Sequence, residues 1–170
     1  MKTHPLVKQL RFTRGEFQRA LKGLTEDEAQ RRFLPMNCIS WNVGHLAWQE
    51  QNYFLIYGQG RTLLPDIHRL FSTGAPASTP PLAEMLEAWH AITVAADPWL
   101  DILTIQKLLS PYIKAGGTPS QRLYGNLLQR VIYHYWYHTG ENMAIRQNLG
   151  HTGLPQFVGS LDARASYTPE

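Results

Sequence analysis

The chain has 170 residues, 44% of them hydrophobic, 11% aromatic and 17% charged, with a formal net charge of +3, which fits one domain with a sizeable core, residues 1–170, flanked by irregular tails over 1–4 and 155–170. One cysteine, Cys38, excludes an intrachain disulfide and reads as a small buried hydrophobe. No run of about 18 apolar residues is present to span a membrane, and the nearest approach to a basic cluster, Arg31-Arg32, is too small to track a phosphate backbone, so neither membrane nor nucleic acid is an expected partner and the cytoplasm is the expected location.

In chain order, Leu6, Leu10, Phe17 and Leu21 recur at helical spacing and predict an amphipathic helix over Pro5–Leu24. Thr25 followed three residues on by Glu28 is a capping box, opening a short helix that ends near Phe33, ahead of Pro35. Ser40 is the expected N-cap of a second long helix from Trp41 to Tyr57, with Val43, Leu46, Ala47 and Phe54 on its apolar side. Gly58 to Pro81 reads as a long connection with one turn of helix near Asp66–Phe71. Thr79-Pro80-Pro81 opens a third helix through Leu82, Met85, Trp89 and Ile92, which Asp97-Pro98 is expected to end. Trp99 to Gly117 reads as a short helix or a pair of turns. Thr118-Pro119-Ser120 then opens the last long helix, whose stripe runs through Leu123, Leu127, Leu128, Val131, Tyr135 and His138 to a stop at Gly150. No stretch alternates with period two for long enough to predict a sheet. Four substantial helices, with short extra helices and a long loop, predict an all-α four-helix bundle.

Within the last helix His134 and His138 lie four residues apart. At about 100° per residue both imidazoles leave one face, a turn apart, as a helix presents two nitrogens to one metal ion. Spacing alone leaves open whether they are core histidines or ligands. Two adjacent buried rings need partners for four nitrogens, and a metal supplies one to each ring. His45, on the apolar side of the second helix, is the candidate third ligand, because one histidine there can meet two from the fourth helix in mid-bundle. Three neutral imidazoles suit zinc or nickel better than iron or copper, disfavour calcium and magnesium, and leave a position open for water or substrate. Trp41, Trp48 and His90 are expected to line the pocket. His4, His68 and His151 read as exposed or capping residues.

Two segments carry a family resemblance. Asn37, Ile39, Trp41, Gly44 and His45 fit the pattern N-x-I-x-W-x-x-G-H. His134, His138, Gly140 and Glu141, with Arg146 and Leu149-Gly150 beyond, fit H-x-x-x-H-x-G-[QE]. In these the chain resembles the DinB/YfiT-like superfamily of metalloenzymes. The resemblance implies an up-down-down-up bundle, commonly a homodimer, with His45, His134 and His138 as metal ligands. Where the family often has Gln, this chain has Glu141, a carboxylate able to approach the metal, to hold a ligand histidine, or to act as a catalytic proton acceptor, a role for which His90 is the other candidate. Relatives that transfer bacillithiol or mycothiol to electrophiles imply a thiol-dependent transferase acting on a small-molecule substrate with a low-molecular-weight thiol as cosubstrate. The alternatives are a metal-dependent hydrolase, for which no HExxH-type base is present, and a non-catalytic metal- or ligand-binding dimer.

Overall fold

The computed structural model describes residues 3–157, 159, 161–167 and 169; the remaining residues of the two tails, Met1-Lys2, Val158, Ser160, Thr168 and Glu170, lie outside the described set. The chain is mostly helical. The long helices are α1 (Pro5–Leu21), α3 (Ile39–Glu50), α5 (Leu82–Asp101) and α7 (Tyr124–Asn148), with short helices α2 (Glu26–Gln30), α4 (Asp66–Phe71) and α6 (Ile105–Leu108) between them. Helix α1 packs along α7 and α3 along α5, and α3 also touches α7, so one apolar core is drawn from all four. No helix among the described residues is long and apolar enough to cross a membrane.

Helix α3 is the centre of this packing. Eleven of its twelve residues are buried, all but Trp48. A helix buried all round is usually apolar all round, yet α3 carries Ser40, Asn42, His45, Gln49 and Glu50. Each has a partner. Ser40 Oγ meets Cys38 Sγ at 3.2 Å, Asn42 donates to Glu141 and Asn142, His45 meets the Phe71 carbonyl, Gln49 meets His134, and Glu50 binds Arg14 and Tyr135. Burial without such partners would cost roughly 1–3 kcal/mol per group. Gly44 lets α3 come close to its neighbours, because a Cβ there would stand 2.8 Å from both Met85 Sδ and Phe71 Cδ1.

The four long helices are also tied by one buried polar network. Arg14 of α1 donates Nε to Glu50 Oε1 at 2.8 Å and Nη1 to Asp97 Oδ1 at 2.8 Å, and Nη2 pairs with the second oxygen of Glu50. Tyr135 of α7 donates to Glu50 Oε1 at 2.6 Å and accepts from Trp89 Nε1 of α5 at 2.5 Å. Burial works against the Arg14 charge, but Glu50 outweighs it and holds the guanidinium pKa above its ordinary value. Burial and then Glu50 push the Tyr135 phenol up, so it stays a donor.

Four local expectations are corrected. The residue before the second helix is Cys38, and Ser40 lies inside the first turn. That helix is not α-helical to Tyr57: Gln51–Tyr57 continues as a π-helix. At its start the buried Gln51 turns its amide to the long connection, accepting from Leu63 N at 3.0 Å and Leu64 N at 2.7 Å and donating to Leu64 O at 2.9 Å. Asp97-Pro98 does not end α5, which runs to Asp101. Proline removes the N–H that would bond the Val94 carbonyl, and Val94 is an exposed residue, so the loss falls on the solvent side of this last turn. The neighbouring Ala95 carbonyl takes Arg61 Nη2 at 2.8 Å. Finally, residues from Pro119 do not begin the last helix. Pro111–Ile113 (β1) and Pro119–Leu123 (β2) pair antiparallel, Pro111 opposite Leu123 and Ile113 opposite Pro119, around a turn in which Gly116 and Gly117 hold φ of 97° and 84°. Strands of three and five residues are too short to show alternation.

The described part of the C-terminal tail is an irregular strap. Phe157 packs against Trp136 under the Arg19 guanidinium, and Arg164 pairs with Glu16 at 2.6 Å.

Candidate metal site

His45 from α3 and His134 and His138 from α7 come together, each offering a nitrogen, with all three ligand atoms within 4.8 Å of one another. Their tautomers follow from their partners. His45 Nδ1 lies 2.6 Å from the Phe71 carbonyl, which only accepts, so Nδ1 carries the proton and Nε2 the lone pair. His134 Nδ1 donates to Gln49 Oε1 at 2.9 Å, and His138 Nδ1 to Glu141 Oε2 at 2.7 Å. The Nε2 atoms of His134 and His138 then face each other at 3.0 Å. With both Nδ1 protons committed, two neutral rings have no hydrogen to share there. Facing lone pairs call for a cation. Burial, and then the charges of His138 and His45, hold the His134 pKa down to about 3, and burial lowers that of His45 too. Burial thus disfavours the protonated form of His134 and of His45, and the donor set fits a divalent metal ion. A carbonyl or carboxylate on the far nitrogen of each ligand is also what metal-bound histidines usually have.

The supports are themselves held. Glu141 Oε2 accepts from Asn42 Nδ2 at 3.0 Å, and the same amide reaches Asn142 Oδ1 at 2.9 Å. Phe71 ends the short helix α4 and packs against Trp41 at 6.2 Å. The His45 ring stacks on Trp41 at 4.9 Å and on Trp48 at 5.1 Å, with interplanar angles of 18° and 25°. Trp48 is anchored in turn by its indole N–H, which donates to His68 Nδ1 at 2.9 Å.

Beside the cluster opens a cleft of about 370 Å³, walled by Trp48, Tyr53, Tyr133 and Tyr137 with Arg130 at its side, and reaching Gln49 and His134. Of the residues expected to line a pocket, Trp48 does so. Trp41 is 4% exposed and backs His45 instead of standing at a mouth. His90 is exposed on α5 and is not among the residues that line the cleft. Glu141 sits on Nδ1 of His138, so its carboxylate positions that ring and is not on the Nε2 side that faces His134. Cys38 is fully buried, its thiol donating to the Ser78 carbonyl at 3.4 Å. His151 bridges Arg146 and Glu28 rather than standing free.

Sequence reasoning missed Gln49, Asn42 and the Phe71 carbonyl. The first two carry a usable signal: they stand four residues after and three before His45, polar positions on the same side of a helix whose other residues are mostly apolar. A backbone carbonyl carries none.

A family model described as the DinB superfamily matches residues 9–142. The chain belongs to the DinB superfamily. Among curated proteins none matches it. The matched span of this DinB-superfamily protein contains all three histidines and Glu141, and runs from within α1 almost to the end of α7.

Proposed function

We propose that this DinB-superfamily protein is a metal-dependent enzyme that joins a low-molecular-weight thiol to a small electrophile, with His45, His134 and His138 as ligands of a zinc or nickel ion. The observation that carries the reading is the meeting of one nitrogen from each of three imidazoles, all within 4.8 Å of one another, beside a cleft that reaches His134. A metal held there would supply Lewis acidity and favour the thiolate over the thiol. The chain's own residues do the rest. Phe71, Gln49 and Glu141 fix the three rings in one tautomer. The aromatic walls of Trp48, Tyr53, Tyr133 and Tyr137 shield the ligand from water. Glu141 belongs to positioning, and the thiol proton leaves through solvent at the cleft.

The cleft-lining residues include no carboxylate, which disfavours hydrolysis, where a general base would have to stand near bound water. A cleft reaching a ligand histidine disfavours a closed structural site. Assembly as a homodimer belongs to the same proposal on the strength of the resemblance, and sedimentation velocity tests it.

The primary test is elemental analysis of untagged wild type and His138→Ala, followed by assay of thiol transfer to electrophiles. Near-stoichiometric zinc or nickel in the wild type and none in the variant supports the reading. No metal uptake by the wild type, even after incubation with either ion, rejects it.

A further inference from the structure

The cleft beside the histidines has an uneven character. Its walls are aromatic, its lining includes one permanent cation, Arg130, and no lining residue is acidic. Arg130 lies one turn before His134 on α7, so its side chain leaves the same face of the helix. It is exposed and makes no hydrogen bond or ion pair with any other described residue. Most other arginines are engaged, Arg14 with Glu50, Arg19 and Arg164 with Glu16, Arg146 with the Ala20 carbonyl; Arg122 on β2 is likewise without such a partner among the described residues, but it does not line the cleft. An arginine left without a partner on an aromatic cleft has its planar fork available to a planar anion.

We infer that Arg130 is the specificity residue of this site, taking the carboxylate of a small aromatic ligand whose other end points to the three histidines. The inference rests on the metal-site reading only for where that other end goes. Tyr133 and Tyr137 flank Arg130 and His134 along α7, and Tyr53 and Trp48 close the opposite wall from α3 and its π-helical continuation. A flat apolar body fits between such faces, by offset stacking or edge contact. A neutral ligand of the same shape leaves the guanidinium in water and gains nothing from it. A ligand with a second cation is repelled.

The test is calorimetric titration with 4-mercaptobenzoate and its neutral analogue 4-mercaptobenzamide. Each is added to zinc-loaded wild type, Arg130→Gln and Arg130→Lys. The acid should bind the wild type roughly tenfold more tightly than the amide, as one charge-assisted contact implies. Arg130→Gln should remove that preference by weakening the acid alone, and Arg130→Lys should keep part of it. Because Arg130 is exposed and makes no hydrogen bond or ion pair with another described residue, the variants should melt with the wild type. Equal binding of acid and amide to the wild type, a preference that survives in Arg130→Gln, or no binding of either probe overturns the inference. Should the protein take up no zinc, the functional reading fails, and the same titrations on metal-free protein still decide the role of Arg130 by the same criteria.

Discussion

Glu141 illustrates how a single side chain acts through its neighbour. Its carboxylate holds the Nδ1 proton of His138 and is itself held by Asn42. Glu141→Ala leaves the ring free to rotate or change tautomer, and zinc affinity should fall about 10–100-fold, measured by chelator competition. Glu141→Gln, which keeps an acceptor, should lose less. Glu28 is a second case. The Thr25 backbone N–H, the His151 ring and the Thr25 hydroxyl hold its pKa down to about 2 from 4.5. Its folded pKa is depressed, so its contribution to stability is present above about pH 4.5 and is lost as pH falls through about 2. The melting-temperature gap between wild type and Glu28→Gln should therefore be open above about pH 4.5 and close over that acid window. Both histidine positions of α7 were legible at this scale because they share a face at a fixed spacing. Their supports were legible only in part, since a helical pattern names the residues of one face and not the groups that face it from other elements.

At the scale of elements, consecutive residues of α3 and α7 form a pair of cross-links: Gln49 to His134, and Glu50 to Tyr135. The register that aligns the histidines is thus shared with the buried Arg14 network. Tyr135→Phe removes a donor from Glu50 and leaves Trp89 Nε1 unpaired, and should cost about 1–3 kcal/mol in urea unfolding. Glu50→Gln strands more of the Arg14 charge and should cost more, about 3–5 kcal/mol. Gly44→Ala forces Met85 and Phe71 aside, with an expected cost of about 1–3 kcal/mol. Because the carbonyl of Phe71 orients His45, this variant should also bind zinc less tightly. Helix existence was legible from three- and four-residue spacing, and α4 from its position alone. The hairpin was not, because Pro119 and Ser120 are as good at opening a helix as at entering a strand, and tertiary pairing with Pro111–Ile113 decided between them. Pro98 misled for a related reason: a proline breaks a helix interior, but buried Leu100 downstream and exposed Val94 upstream make one more turn worthwhile.

On the scale of the whole molecule, the core drawn from α1, α3, α5 and α7 was implied by four amphipathic or apolar helices, while the role of α3 as the central helix, buried but for Trp48, was not. Its apolar face read as one side of an amphipathic element, because polar residues in a sequence look like a solvent face until their partners are known. The strap formed by the described tail residues covers Phe12 and Trp136 with Arg164 and Phe157. Truncation after Leu154 removes these contacts and the Arg164–Glu16 pair. A loss of about 1–2 kcal/mol is expected, lowering Tm by roughly 2–8 °C, while zinc binding is retained.

The stacking of His45 between Trp41 and Trp48 gives the site an optical read-out of its own. Trp89, Trp99 and Trp136 stand against other rings, Phe17, Phe54 with Tyr124, and Phe12 with Phe157. Among the described residues, the two indoles on α3 are the ones that touch the His45 imidazole, so any event that changes the charge or electron density of that ring should change the emission of these two fluorophores and leave the other three as an internal reference. Occupancy can then be followed in unlabelled protein, by intrinsic fluorescence, without a substrate in hand.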